Sequence, residues 1–307
     1  MFSSKKHTKK NSRSNSNSST QSPTQSPSNN SMSLPENSKK NEEEKKICNV
    51  SEENYCQDKS SGGHQGTIFS PDKETCAKIV NLEGLEYKFY KNLDPSSSLY
   101  EFLPKYNDVC YRDEKPYIML ENLKAGLEEP IAIDIKFGFQ TSSSQIMKIK
   151  KLTKKFIKRM KHGLLDRYTN SSKFGFRVEG AKLGVKLSKL ELMKQDIFKT
   201  FSLYFAKDKD DKALMSFIKN LKKFINKANN EEFRNYRLIG ASILFIYDGK
   251  NPNETKFKII DFDNSIILDK QNKKKIQKNI NHANKNIIAF TNLLNTLNQY
   301  KFYKHEI

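Results

Sequence analysis

The segment Pro130-Ile131-Ala132-Ile133-Asp134-Ile135-Lys136-Phe137-Gly138 sets a carboxylate and an ammonium two residues apart in an otherwise apolar run. In an extended strand alternate side chains share a face. Ile131, Ile133 and Ile135 then point into a core, while Asp134 and Lys136 project together on the other side. Such a pair on a rigid strand suits phosphoryl transfer. The lysine can neutralise oxygens on donor and acceptor, and the carboxylate can hold hydroxyls or assist deprotonation. A surface salt pair on an edge strand would read the same way, so other features must decide.

Three other segments bear on that choice. Lys258-Ile259-Ile260-Asp261-Phe262-Asp263 is an apolar strand running into acidic residues. Mg²⁺ prefers one or two carboxylates plus phosphate oxygens and water, which makes Asp261 the metal-ligand candidate and Asp263 a weaker second. Gly62-Gly63-His64-Gln65-Gly66 is an amide-rich loop able to approach phosphates closely. Lys78 follows it on the next strand and Glu86 on the next helix. A strand lysine held by a helix glutamate, beneath a loop over the phosphates, is how protein kinases hold ATP. Lastly, Lys148, Lys150, Lys151, Lys154, Lys155, Lys158, Arg159 and Lys161 occur with no acid between them. Like charges at helical spacing repel, so a bound anion is expected to compensate them, a solvated basic face being the plain alternative.

The elements that must position these residues follow from periodicity. Thr67 to Val80 reads as a β-hairpin around a Pro71-Asp72-Lys73 turn. Leu82, Leu85, Phe89 and Leu93 predict a helix over 82–93. Pro116 to Leu120 and Ile131 to Phe137 are strands, and the basic stretch is a helix over about 143–162. A second helical region is expected over about 188–229, two strands at Leu238–Tyr247 and Phe257–Phe262, and a closing helix around Ile287–Leu297. Strands first, then mixed elements, indicate an α+β chain with a small β-rich lobe followed by a larger one.

Residues 1–60 are Ser, Asn, Gln, Lys and Glu with almost no large apolar side chains, and are expected to be a disordered tail. Its Lys5-Lys6-His7-Thr8-Lys9-Lys10 cluster fits a nuclear address or, more simply, a solvated tail. With 307 residues and a formal charge of +20, the chain calls for an anionic partner. Nucleic acid is disfavoured because the basic helix carries no series of interleaved aromatics. Cys48, Cys56, Cys76 and Cys110 form no CxxC pair and are read as reduced thiols. No stretch reaches the length of a membrane span and the polar start does not resemble a secretory signal. The expectation is an intracellular protein, cytoplasmic or nuclear, and a monomer.

Assembled in order, these segments resemble the inositol polyphosphate kinase family. Its Pro-x-x-x-Asp-x-Lys-x-Gly signature is matched by Pro130, Asp134, Lys136 and Gly138. Leu120-Glu121-Asn122-Leu123 resembles the hinge between its lobes, Gly240-Ala241-Ser242-Ile243-Leu244-Phe245 its Ser-Leu-Leu segment, and Ile260-Asp261-Phe262 its metal-binding segment. The resemblance covers roughly 62–300. It implies a two-lobed fold related to protein kinases and ATP-grasp enzymes, with an N-lobe and hinge over 61–123 and a C-lobe over 124–307. A small helical inositol-binding insertion would occupy about 139–174.

The resemblance further implies roles. ATP and Mg²⁺ would be used, with soluble inositol phosphates as acceptors. Lys78, supported by Glu86, would hold the ATP phosphates, and the backbone of Glu121 and Leu123 the adenine. Asp134 would bind ribose hydroxyls or assist the acceptor, Lys136 would bridge the γ-phosphate and the inositol, and Asp261 would bind Mg²⁺. Arg177 would grip a substrate phosphate, and Lys151, Lys154, Lys155, Lys158 and Arg159 form a pool of further contacts. Gly175-Phe176-Arg177-Val178-Glu179-Gly180 looks most like the inositol trisphosphate 3-kinases. The short segment between Gly138 and Gly175, and the absence of tryptophan, look more like multikinases and small hexakisphosphate kinases. Asn264 stands where multikinases place a histidine. Two rivals differ in what they require. A protein kinase needs a His-Arg-Asp catalytic loop, which is absent. A non-catalytic module for RNA or acidic lipid explains the charge but not the coexistence of Asp134, Asp261 and the Lys78–Glu86 pair.

Overall fold

The computed structural model describes residues 45–51, 56, 68–139, 173–181, 196–269 and 271–306. They belong to one unit, Glu44–Ile307; the other, Met1–Glu43, lies outside them.

The smaller lobe is an antiparallel sheet in the order β1-β2-β4-β3, formed by Ile68–Phe69, Thr75–Ile79, Tyr106–Arg112 (β3) and Lys115–Glu121 (β4). The expected hairpin is β1–β2, with Lys78 opposite Ile68. β3 was not foreseen: Tyr106-Asn-Asp-Val-Cys-Tyr-Arg112 is too polar to show a clean alternation, and it is an edge strand exposed on one side. A single helix, α1 (Leu85–Asn92), packs beside this sheet.

Residues 45–51 fall within the expected tail, yet they are folded onto this lobe. Ile47 bridges Tyr111, and Cys48 N donates to Tyr111 O at 2.9 Å. The four cysteines are not free thiols. Cys48 is bonded to Cys110 on β3 and Cys56 to Cys76 on β2. These pairings join segments 62 and 20 residues apart, which is why local spacing did not reveal them. They also remove the cysteines as an argument for a reducing compartment.

The larger lobe is built on a second antiparallel sheet, β6-β5-β8-β9. Its strands are Pro130–Phe137 (β5), Phe176–Ala181 (β6), Ser242–Asp248 (β8) and Thr255–Ile260 (β9). Strict alternation decides what each face does. Ile131, Ile133, Ile135 and Phe137 of β5, with Ile243, Phe245 and Tyr247 of β8 and Phe257 and Ile259 of β9, are buried. Helices α3 (Lys212–Ala228) and α4 (Lys273–Glu306) cover that face. Phe217 stacks on Phe245 at 4.4 Å between centroids, and Phe290 meets Phe137 at 4.6 Å and Phe224 at 4.9 Å. The opposite face of β5 carries Asp134 and Lys136, as the sequence implies.

Other elements differ in detail from expectation. The helical region over 188–229 is broken: α2 (Ile197–Tyr204) ends in turns around Phe205–Asp211 before α3 begins, and 188–195 lie outside the described residues. Asp211, in the left-handed region at φ 57°, makes the corner and is held by Lys304 Nζ and His305 Nε2, both at 2.6 Å. The closing helix is longer than its apolar core suggested, because the polar face of α4 extends it in both directions. The strand expected from Leu238 begins only at Ser242, as β8; just before it, β7 (Tyr236–Arg237) pairs with β10 (Ile266–Ile267) as a separate ribbon. No described helix is long and apolar enough to cross a membrane. The basic helix expected over 143–162, and with it the proposed inositol-binding insertion, lies outside the described residues.

Candidate active site

Sheet register places the chemistry. Lys136 on β5 pairs with Ser242 on β8, which pairs with Ile260 on β9, the residue before Asp261. Neighbouring strands lie about 4.8 Å apart, so Lys136 and Asp261 occupy the same end of the sheet, with their strands roughly 10 Å apart across it. β5 ends in Gly138 at φ 102°, where a side chain would be strained, and Gly138 N donates to Gly175 O at 2.7 Å. Gly175, at φ 77°, has Phe139 and Ala289 packed where a Cβ would sit. These two glycines let the chain turn sharply off β5 and return as β6.

Asp261 is also left-handed: φ is 65°, a region seldom occupied outside glycine but tolerated by aspartate. Phe262 fixes it there. Its ring is fully buried, stacked on Phe89 of α1 at 4.1 Å and edge-on to Tyr90 at 5.3 Å. Burial of one aromatic thus turns Asp261 toward the cleft and anchors α1 against the larger lobe. Among the described sites, this strained carboxylate is the one that reaches across to the other lobe. Lys78 Nζ lies 2.7 Å from Glu86 Oε1 and 3.2 Å from Asp261 Oδ1. Burial disfavours the Lys78 ammonium, but Glu86 and Asp261 outweigh it and hold its pKa above the ordinary value. The cost falls on Glu86, whose carboxyl burial pushes up to about 7 against the pull of Lys78. Removing one member of such a buried pair typically costs about 3–5 kcal/mol.

Asp134 is the second perturbed acid. Burial and then the charge of Asp261 push its pKa up to about 7, against the opposing effect of Lys136. Its Oδ1 is buried and without a hydrogen-bond partner among the described residues. An orphaned carboxylate oxygen next to a second, strained carboxylate is the kind of donor set that a divalent cation completes together with phosphate oxygens. The residues present therefore fit such an ion.

Between the lobes lies a cleft of roughly 180 Å³ whose walls include Lys78, Glu86, Asp261, Leu244 and Ile246. Its rim is the connection after β4. Asn122 Nδ2 donates to Lys73 O and Asn122 N to Glu74 O, both at 2.7 Å, which fixes the backbone of Glu121–Leu123. Glu121 itself turns outward: Lys258 lies 3.6 Å and Lys256 3.9 Å from its carboxylate. Lys258 Nζ also donates to Leu103 O at 2.8 Å. These two β9 lysines join the lobes at the hinge. They were missed in the sequence, where Thr255-Lys256-Phe257-Lys258 reads only as an amphipathic strand. The cleft wall also contains the Cys56–Cys76 bridge, invisible to the sequence for the reason given above.

Lys78, Glu86, Glu121, Leu123 and Asp261 therefore line one cleft; Asp134 and Lys136 lie outside its lining, on β5, with Asp134 close enough to Asp261 for that charge to raise its pKa. Asp263 lies beside Glu86 and raises its pKa, after burial. Arg177 stands apart: it is fully buried, and its Nε and Nη2 donate to Glu179 Oε1 at 3.1 and 2.6 Å. It lies opposite Lys136 on the adjacent strand, and a direct grip on substrate would require its uncovering. The loop 62–66, and Lys151, Lys154, Lys155, Lys158 and Arg159, lie outside the described residues.

A four-stranded β-lobe with a lysine–glutamate pair, hinged to an α+β lobe that presents an aspartate to that lysine, defines a two-lobed kinase-like fold. The same fold occurs in the inositol phosphate multikinase Ipk2 of Saccharomyces cerevisiae in complex with ADP and Mn²⁺, at a TM-score of 0.59 and 22% identity over 74% of this chain and 99% of that one. A further inositol phosphate multikinase structure matches with a TM-score of 0.51 and 17% identity, covering 70% of this chain and 99% of its own.

The family profile of inositol polyphosphate kinases matches residues 117–298, more than half of the sequence, and the chain belongs to that family. Curated relatives include an inositol-trisphosphate 3-kinase homolog of Caenorhabditis elegans, 25% identical over 218 residues and 61% of this chain. Another is inositol hexakisphosphate kinase 1 of Saccharomyces cerevisiae, 23% identical over 239 residues and 64% of this chain. The matches span 44% and 21% of those two proteins.

Proposed function

We propose that this protein transfers the γ-phosphate of ATP to a hydroxyl, or a phosphate, of a soluble inositol phosphate, and that it requires Mg²⁺. The observation that carries the reading is Lys78, gripped at once by Glu86 and Asp261 across the cleft, with Asp134 near enough for Asp261 to raise its pKa and Lys136 beside it on β5. In this reading Lys78 passes from Asp261 to the nucleotide phosphates, freeing the Asp261 carboxylate. The backbone of Glu121 and Leu123, held by Asn122, offers a donor and an acceptor to the adenine edge. Lys136 neutralises oxygens on both the transferred group and the acceptor, which favours charge as it develops. Asp134, kept poorly solvated, binds ribose hydroxyls or assists the acceptor. Mg²⁺ would be held by Asp261, with Asp134 nearby, and would supply charge neutralisation to the phosphates.

The Gly175–Gly180 motif favours inositol trisphosphate as acceptor and the tetrakisphosphate as product. The likeness in fold to a multikinase, and in sequence to a hexakisphosphate kinase, supports a broader acceptor range as the second reading. Incubation with Mg·ATP and a panel of inositol phosphates, followed by anion-exchange separation, tests both. Conversion of the trisphosphate alone supports the first; several products, or a pyrophosphate, support the second. If every acceptor emerges unmodified while the protein still binds inositol phosphates, it is a polyanion-binding module and the enzymatic reading fails.

A further inference from the structure

Lys136 and Arg177 are direct cross-strand partners on β5 and β6. Like charges so placed repel, and Arg177 is fully buried, where an uncompensated charge is strongly unfavourable. Glu179 stands two residues further along β6, at the irregularity where the β5–β6 register shifts between Ile135 and Asp134. Its Oε1 accepts from Arg177 Nε and Nη2 at 3.1 and 2.6 Å, and its Oε2 lies 4.0 Å from Lys136 Nζ. Among the described residues it is the only carboxylate in ion-pair range of that ammonium. Both side chains are well covered, at 15% exposure for Lys136 and 9% for Glu179.

A lysine has a flexible four-carbon stem and three donors. At 4.0 Å the contact is too long to occupy a donor, so it restrains the direction of the stem while leaving the N–H groups available to phosphate oxygens. Glu179 also contributes to the raised pKa of Asp134, which places its charge within reach of both members of the β5 pair. We propose that Glu179 is a positioning residue for phosphoryl transfer: one carboxylate oxygen neutralises Arg177, and the other restrains the direction of Lys136. The inference rests on the reading of Lys136 given above.

Glu179→Gln separates the two duties. The amide oxygen can still accept from Arg177, while the charge that restrains Lys136 is gone. The variant also removes the charge that compensates buried Arg177, so the melting temperature should fall; at a temperature where it remains folded, kcat should fall about tenfold or more, and KM for ATP should change by less than about twofold. In a double-mutant cycle with Lys136→Arg, the combined loss in kcat should be smaller than the product of the single losses, because both act on one contact. A second readout needs no turnover. In ¹⁵N-lysine-labelled protein without substrate, the Lys136 ammonium should be ordered in wild type and disordered in Glu179→Gln. Wild-type kcat in Glu179→Gln, fully multiplicative losses, or unchanged ammonium order would each overturn the proposal. Should wild type phosphorylate no inositol phosphate, the kinase reading fails, and the labelling comparison still decides whether Glu179 orders Lys136.

Discussion

Asp134 carries two opposing demands. Its position on β5 brings it near Asp261, and its burial makes its charge costly: the pKa moves from 3.8 to about 7. The folded protein thus retains a proton that the unfolded chain releases near pH 4. Between about pH 4 and 7 the unfolded state binds fewer protons, so stability falls as pH rises. Glu86, raised to about 7 by burial, acts in the same direction. Asp211 and Asp248 are held low by hydrogen bonds despite burial, and their effect runs the other way, below that window. Asp134→Asn should therefore flatten the decline of melting temperature between about pH 5 and 7 in ligand-free protein. An unchanged slope would show that Asp134 is ionised at neutral pH and well solvated. This residue was legible in the sequence as one of a strand pair; its altered acidity was not, because that depends on Asp261, 127 residues away in sequence and adjacent only once β5, β8 and β9 are in register.

At the scale of elements, the strands with clean alternation were readable and the others were not. β5 and β9 show their two faces directly, since each buries an unbroken set of Ile and Phe. β3 is half polar and was missed, and β8 was drawn too early, because Leu238–Ala241 is as apolar as the strand it precedes. The two disulfides escaped for a different reason: they depend on which strands neighbour one another. Cys48–Cys110 fastens residues 45–51 to β3, and Cys56–Cys76 closes onto β2 beside the cleft. Bridges across 62 and 20 residues contribute about 3–4 kcal/mol each in the chain-entropy model. Reduction with dithiothreitol should lower the melting temperature by roughly 10 °C or more and raise KM for ATP, since Cys56 and Cys76 line the cleft. Identical melting curves with and without reductant would mean that the bridges contribute nothing to the folded protein.

At the scale of the molecule, three of the contacts between the two lobes have different jobs. Phe262 against Phe89 supplies apolar adhesion, Lys256 and Lys258 against Glu121 secure the hinge, and Lys78 against Asp261 closes the cleft itself. In the proposed function only the last lies where a nucleotide phosphate would sit, so there it is the contact that would exchange while the other two hold the lobes in place. The family was legible in the sequence because a handful of residues at fixed spacing carry it. Acceptor choice was not, because Gly175–Gly180 resembles trisphosphate 3-kinases while the short segment between Gly138 and Gly175 resembles multikinases and hexakisphosphate kinases.

The central claim is that Lys136 and Asp261 act on one transferred phosphate. It is tested most directly by transfer of ³²P from γ-labelled ATP to the preferred inositol phosphate, measured for wild type, Lys136→Ala and Asp261→Asn alongside their melting temperatures. Loss of transfer by about a hundredfold or more in each variant, with cooperative unfolding retained, is the predicted result. Wild-type transfer in either stably folded variant would contradict it.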